Sequence, residues 1–245
     1  MKKILTLLAM AAFTLVACNP NNTDLDDPNG GGNDNDYKAP ITIDGNFEDW
    51  AALDASKVTT LKCAGTASKT DIKTARIYAD KYYIFVYAEF DLSSYDAVNE
   101  AHFHFYINGD NDTSTGGYKG AFDQGETPCV DVMTEGDVIA DGAVCDYDPS
   151  TFVWGGPANY VDWSDEYWGD PLELVGFVQG KGTKKAFEFQ ITRELYPAGK
   201  LAKTFTMGID LLVNGWDATG ALPNTDATET NPAGEAPLVE VSINK

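Results

Sequence analysis

The chain has 245 residues, of which 17 are Lys or Arg and 38 are Asp or Glu, so its formal net charge at neutral pH is -21. Such an excess of negative charge excludes nucleic-acid backbones and anionic lipid surfaces as partners. It fits a solvated, exported domain that holds divalent cations.

Residues 1–17 predict a secretory signal. Lys2 and Lys3 precede an apolar run over residues 4–16, which is too short to span a membrane. The closing letters LVAC resemble the bacterial lipobox, which implies cleavage before Cys18 and its lipidation. An ordinary signal peptide with a chance cysteine is the alternative. Removal of the two lysines leaves 15 basic residues (17 minus 2) and a formal charge of -23.

Residues 18–38 read as the lipidated cysteine followed by a flexible acidic tether. They are Asn, Asp, Gly and Pro with almost nothing apolar, so they cannot bury enough surface to offset the entropy of ordering. The cluster Asp24, Asp26 and Asp27 resembles an export signal to the outer face of the outer membrane; the periplasmic face is the alternative. We expect residues 39–245 to form one β domain, since about 205 residues suffice for a core.

The body predicts many short strands. Two apolar runs rich in aromatic and β-branched residues flank an Asp80-Lys81 turn, and the segment AHFHFYIN follows. In that segment Phe103, Phe105 and Ile107 point to one face, whereas His102, His104 and Tyr106 point to the other. Later runs cover residues 130–134, 138–145, 151–154, 172–179, 184–191, 204–213 and 237–243.

Long helical periodicity is absent from the sequence, and only NFEDWAAL and TRELYP look like single helical turns. Short strands separated by Gly, Asn, Asp and Pro turns indicate an antiparallel β-sandwich or jelly roll. The predicted fold class is therefore all-β.

Three cysteines follow Cys18, namely Cys63, Cys129 and Cys145. An oxidising compartment favours one disulfide and leaves one thiol over. Cys129 and Cys145 would face each other across a hairpin centred near Asp137. A second turn signal at Asp141-Gly142 competes with that register.

Six segments, in this order, resemble family 9 carbohydrate-binding modules and their DOMON-like relatives. They are ITIDGNFEDWAAL, ARIYADKYYIFVYAEF, FYINGDNDTSTGGY, VDVMTEGDV, KAFEFQITREL and NGWDATGALPN. The resemblance spans about residues 41–243 and implies a DOMON-like sandwich that binds sugar. The chain departs from the pattern at Thr192, where the family has Pro, at Asn108, where it has Asp, and in an insertion over residues 146–171.

The loop after AHFHFYIN predicts a calcium site. Alternate positions in a tight loop turn several oxygens inward, and Ca²⁺ takes six to eight oxygen ligands. Asn108, Asp110 and Asp112 have that spacing, Thr115 adds an oxygen, and the resemblance places Asp131 nearby. The competing interpretation is a solvated turn held by Asx hydrogen bonds.

Aromatic side chains supply the predicted sugar platform. The family sandwiches a sugar between two Trp, and the resemblance carries this role to Trp216, with Asn214 beside it. Trp154, Trp163 and Trp168 of the insertion are candidate partners. The alternative is that the rings of the insertion form a small satellite core.

No GxSxG, HExxH or CxxC motif occurs in the chain, so we expect a protein without catalytic residues, although a glycosidase carboxylate pair stays open. Some DOMON relatives bind haem through Met and His, but two His on one strand face more often lie on a polar sheet surface, and we expect no haem. We expect a surface lipoprotein that captures glycans. The alternative is an adhesion or structural module that binds an envelope protein.

Overall fold

The computed structural model describes residues 37–170, 178–193 and 201–244. The chain divides into a unit of residues 1–39 and a unit of residues 40–245. The helices and strands described below all belong to the second unit.

The predicted signal peptide, Cys18 and nearly all of the predicted tether lie outside the described residues. The same holds for most of the predicted strand at residues 172–179 and for the TRELYP turn after Arg193. Within the described ranges, none of the helices has the length and apolar character needed to cross a membrane.

The described residues form short helices and mostly strands. In chain order these are α1 (Asp49–Ala52), a 3-10 helix (Ala55–Lys57), β1 (Thr59–Lys62), β2 (Ile72–Ala79), β3 (Tyr83–Phe90), β4 (Ala101–Asn108), β5 (Val132–Ala140), β6 (Ala143–Val144), β7 (Ser150–Val153), α2 (Asp165–Trp168), β8 (Val178–Gly182), β9 (Ala186–Thr192), β10 (Thr204–Val213), β11 (Ala218–Leu222) and β12 (Val239–Ser242).

The strands make two antiparallel sheets. The first has five strands in the order β1-β2-β3-β9-β8. The second has seven, in the order β11-β10-β4-β5-β6, with β12 also paired to β10 and β7 also paired to β5. The predicted all-β antiparallel sandwich is therefore confirmed.

The main core lies between the two sheets and follows the period of two that the sequence predicted. Phe103 and Phe105 of β4 are fully buried there. Phe103 stacks on Phe189 of β9, with ring centroids 4.5 Å apart. Since successive side chains of a strand alternate between faces, this burial turns His102, His104 and Tyr106 of β4 to the outside of the second sheet.

The segment before α1 covers the outer face of the first sheet. Trp50 is buried against Phe85 of β3. Its indole Nε1 donates to Glu188 at 3.2 Å, and the backbone N–H groups of Asp44 and Gly45 donate to the same carboxylate at 3.0 and 2.7 Å. Three donors compensate a carboxylate whose pKa is raised by burial. The Ile-Asp-Gly turn and its Trp are thus tied to β9.

Strand β5 is continuous, whereas the sequence predicted two strands with an interruption around Gly136. A side chain at Gly136 would meet Tyr147 at 2.8 Å and Pro149 at 2.9 Å, so glycine serves close packing here rather than a turn. The hairpin turns instead at Asp141 and Gly142, whose φ values of 49° and 75° suit a two-residue turn.

This register corrects the predicted disulfide. Cys129 and Cys145 are both free. Cys129 precedes β5, whereas the backbone N–H of Cys145 donates to the carbonyl of Val138 near the far end of that strand. At ~3.3 Å per residue the two thiols are separated by most of the length of β5, far beyond the span of a disulfide.

Candidate functional site

The outer face of the seven-stranded sheet holds the candidate site. Strand β4 runs between β5 and β10 and presents His102, His104 and Tyr106. Their cross-strand partners are, in the same order, Asp137, Glu135 and Met133 on β5 and Leu212, Asp210 and Gly208 on β10. Two histidines, three carboxylates and a tyrosine therefore come from three neighbouring strands onto one surface.

Trp216 stands at the His102 end of this surface. It lies in the loop between β10 and β11, and 67% of its surface is exposed. Its indole stacks on the imidazole of His102, with ring centroids 4.5 Å apart and planes only 5° from parallel. An indole held flat in this way presents its other face to solvent.

His102 is fixed beneath that indole. Its Nδ1 lies 2.5 Å from Oδ1 of Asp137, its cross-strand partner on β5. Its Nε2 is shielded from solvent and has no hydrogen-bond partner among the described residues, with Glu100 Oε2 at 4.0 Å. The bond to Asp137 sets the plane of the imidazole, and the imidazole sets the plane of Trp216.

A polar cleft of about 420 Å³ opens beside this stack. That volume is within the range of small-molecule sites. The walls come from the loop before β4, from β4 and β5, and from the turn between β5 and β6. They are Asn99, Glu100, His102, Asp137, Ala140 and Asp141.

Asn214 holds the loops around the cleft together. Its amide oxygen accepts from the backbone N–H groups of Asn99 at 2.8 Å and Glu100 at 3.4 Å, and its Nδ2 donates to the carbonyl of Ala97 at 2.8 Å. The structure therefore uses the predicted ligand-binding side chain of Asn214 to join the Trp216 loop to the cleft wall.

A buried polar network occupies the middle of the surface. His104 Nδ1 lies 3.0 Å from Asp210 Oδ1, and the Tyr106 hydroxyl donates to Asp210 Oδ2 at 3.0 Å. Glu135 Oε2 lies 3.5 Å from His104 Nε2. Burial alone would lower the pKa of His104, but Asp210 and Glu135 favour the imidazolium, and the pKa is raised. Burial also raises the pKa of Tyr106 well above its usual value.

The three tryptophans of the insertion gather at the opposite end of the surface. Trp168 is 2% exposed, and its ring centroid lies 5.0 Å from that of Trp154 and 6.1 Å from that of Trp163. Tyr118 packs edge-on against both Trp163 and Trp168. Burial is the main cause that raises the pKa of Tyr118 to about 12. This cluster is a satellite core on the outer face.

The cluster leaves one tryptophan accessible. Trp163 is 44% exposed, beside exposed Tyr160 and Val161. Trp163 lies toward the Tyr106 end of β4 and Trp216 toward the His102 end. Those strand positions are about 13 Å apart. The structure therefore does not bring Trp216 and the insertion tryptophans together as one pair of facing rings.

The predicted cation loop is an ordered turn. Asp110 accepts from the backbone N–H of Asp112 at 2.8 Å and from the Thr115 hydroxyl at 3.0 Å. Asp112 accepts from the backbone N–H and hydroxyl of Ser114, and these bonds lower its pKa. Within the described ranges, no group of three or more His, Cys, Asp or Glu side chains is arranged to hold a metal ion.

One buried acceptor at the base of this loop lacks a hydrogen bond. Asn108 is 1% exposed, and its Oδ1 has no hydrogen-bond partner within the described part of the chain. Asp131, buried beside it, accepts from the backbone N–H of Gly109 at 2.9 Å. The Cys129 thiol is close to both side chains. Burial is the main cause that raises the pKa of Cys129. The Asn108 amide lowers this pKa and the Asp131 charge raises it further. Oxygen donors of this kind suit a hard cation.

Several residues of the cleft were not among the sequence-predicted ligands. His102 was considered for the strand face it occupies and as a haem ligand, not as a sugar ligand, and Glu100, Asp137 and Asp141 are scattered along the chain. Their meeting depends on the β4–β5 register and on the position of the β5–β6 turn, which no local motif specifies.

No protein family matches the chain, and no curated protein matches it. Among solved structures, the chain is similar to a family 9 carbohydrate-binding module from Caldicellulosiruptor kristjanssonii in complex with glucose. The two share 14% sequence identity with a TM-score of 0.36, over 85% of this chain and 93% of the other. The fold assignment rests on the two sheets themselves.

The buried His104 network predicts a pH-dependent stability. Because the folded-state pKa of His104 is raised above its usual 6.5, its contribution is fully present below that unfolded value and is lost as pH rises through the folded pKa. We expect the free energy of unfolding of the wild type, relative to that of His104→Gln, to decrease as the pH rises from 6.5 through the folded-state pKa of His104. The two should be compared by urea denaturation from pH 5 to 9.

The variant retains Asp210, Glu135 and Tyr106, so the titration of other groups largely cancels in the difference. Parallel stability curves for the two proteins would contradict a buried imidazolium in the fold.

Proposed function

We propose that this chain is a non-catalytic carbohydrate-binding domain whose ligand stacks on Trp216 and enters the adjacent cleft. The observation on which this rests is the exposed indole of Trp216, which stacks on His102, and His102 in turn lines a polar cleft of about 420 Å³. Exposure of the apolar face of an indole to water is unfavourable, and the apolar face of a pyranose is flat enough to cover it.

The cleft supplies the polar half of such a site. Pyranose rings carry hydroxyls around their edge, and each needs a partner when it leaves water. Glu100, Asp141 and Asn99 are exposed at the cleft wall and offer carboxylate and amide oxygens that accept hydrogen bonds from hydroxyls. An aromatic platform with a few oriented polar groups is the usual composition of a small-ligand site.

Replacement of Trp216 tests this function. We expect Trp216→Ala to weaken binding on a glycan array at least about tenfold, a loss typical of a central aromatic contact. The melting temperature should change by no more than about 2 °C, because an exposed surface residue contributes little to stability. Trp163→Ala is the matched control, since it removes the other exposed indole.

Unchanged glycan binding in Trp216→Ala would reject the proposal. Loss of binding only in Trp163→Ala would move the ligand to the exposed strip of Tyr160, Val161 and Trp163. That strip is also the feature that favours the alternative of an envelope protein partner, because contiguous exposed apolar surface marks interaction sites.

We also propose that Ca²⁺ binds at the base of the 108–115 loop. The unsatisfied oxygen of buried Asn108 supports this proposal, as do the carboxylates of Asp110 and Asp131 and the oxygens of Asp112 and Thr115 in the same loop. The ion would hold the loop in place and would take no part in chemistry.

Chelation tests the calcium site. At a calcium concentration about 100 times Kd, binding to the folded state alone stabilises by about 2.7 kcal/mol. We therefore expect addition of Ca²⁺ to chelator-treated protein to raise the melting temperature by about 5–10 °C. Asp131→Asn keeps an acceptor for Gly109 but removes the charge, and should lose most of this shift. Asp123→Asn, outside the loop, should retain it.

An identical melting temperature with excess chelator and with Ca²⁺, together with no calcium by elemental analysis, would reject this site.

We propose in addition that the domain is displayed by a lipid on Cys18 at the outer membrane, facing the cell exterior. The lipobox-like letters before Cys18 and the acidic cluster after it support this location. Two or more acyl chains are enough for stable attachment.

Fractionation tests the anchor. Cys18→Ala should move the protein from the membrane fraction of its native cells into the soluble fraction. Added protease should digest the wild-type protein on intact cells. Wild-type protein in the soluble fraction would contradict the anchor, and resistance to protease until the cells are lysed would place the protein on the periplasmic face.

A further inference from the structure

The walls of the cleft beside the Trp216–His102 stack are acidic. Glu100, Asp137 and Asp141 line it, against one imidazole, His102. Asp137 is engaged by His102 at 2.5 Å. Glu100 stays 4.0 Å from the same ring, beyond hydrogen-bond distance. Two exposed carboxylates, those of Glu100 and Asp141, therefore line the cleft without an ion pair to His102 within hydrogen-bond distance.

The surroundings of the cleft add charges of both signs. Asp217 follows Trp216 in the loop and is exposed. Lys184 adds a positive charge nearby: its Nζ donates to the carbonyl of Gly142 at 2.6 Å, in the turn that also holds Asp141. The four carboxylates of Glu100, Asp137, Asp141 and Asp217 outnumber Lys184 and His102 together, so the charge balance of these groups is negative.

We propose that this cleft selects sugars by charge: it binds neutral sugars, binds 2-amino sugars more tightly, and binds uronic acids more weakly. The inference rests on the proposed function, since it concerns the ligand stacked on Trp216. The exposed indole and the cleft define the site, and the carboxylates set only its charge preference.

The physical reason is the strength of charged hydrogen bonds. An ammonium group has three donors and no acceptor, so it pairs directly with carboxylates. Hydrogen bonds between opposite charges are about twice as strong as neutral ones. A uronic acid carries its carboxylate at C6 rather than C2, and wherever that group enters the cleft it would meet the carboxylates of Glu100 and Asp141 with like charge and without a donor. Neutral hydroxyls bind without either effect.

Matched oligosaccharides test the selection. We would measure affinities by isothermal titration calorimetry for β-1,4-linked trisaccharides of glucose, glucosamine and glucuronic acid, and for the corresponding galacto series. The charged sugars differ from the neutral one in one substituent per ring, an ammonium at C2 or a carboxylate at C6. At low ionic strength we expect the amino sugar to bind about tenfold tighter than the neutral one, and the uronate about tenfold weaker.

The effect of the cleft carboxylates on affinity must be distinguished from the effect of the overall charge of -21, because that charge attracts any cation. The double variant Glu100→Gln with Asp141→Asn keeps side-chain size, and Asn tolerates the positive φ of Asp141. We expect the affinities of the double variant for the three sugars to converge within about threefold. The remaining difference would come from the weaker, long-range electrostatic field of the whole chain. Glu229→Gln, an exposed change outside the cleft, should keep the full preference.

The outcomes separate the two proposals. Equal, Trp216-dependent binding of all three sugars in a series would overturn the charge selection and leave the proposed function intact. A preference that persists in the double variant, or that falls equally in Glu229→Gln, would also overturn it. Absence of binding by every sugar in both series would overturn the selection together with the proposed function for these sugars.

Discussion

The register of β4 between β5 and β10 is the constraint on which the candidate site depends. Phe103 and Phe105 of β4 are buried between the sheets, so the residues between them must face outward. A slip of one residue would turn both phenylalanines out of the apolar core between the sheets and turn His102 and His104 into it, at a total cost of several kcal/mol. The packing of the core thereby fixes Asp137 opposite His102 and Asp210 opposite His104.

The same constraint explains how an exposed indole keeps one orientation. A tryptophan in a loop next to Gly215 would sample several rotamers, and a ligand would then have to order it on binding. Here the imidazole of His102 lies flat against it, and Asp137 on the neighbouring strand holds that imidazole. Asn214 fixes the loop itself to the chain before β4. The Trp216 indole is therefore held in one orientation by the protein itself.

Much of the fold could be predicted from the sequence, because alternation along a strand is a local signal. The inward and outward faces of β4 follow from it directly. Gly136 misled the prediction, since its role is to admit Tyr147 and Pro149, which lie elsewhere in the chain. Strand β11 was missed for a related reason: at Gly220 the chain approaches Ile72 closely, and a short strand built for such contact shows little alternation.

The site was predictable only where a motif marks it. Trp216 came from a resemblance, whereas the meeting of Glu100 and Asp141 with His102 is set by long-range pairing and by the turn after β5. The same distinction applies to the charge. A formal charge of -21 describes the whole chain, but salt screens charges separated by more than about 8 Å at physiological ionic strength. A ligand bound at Trp216, as proposed, would therefore respond chiefly to the few carboxylates near it. The arrangement of those groups, rather than the composition, would then decide which of the proposed sugars bind.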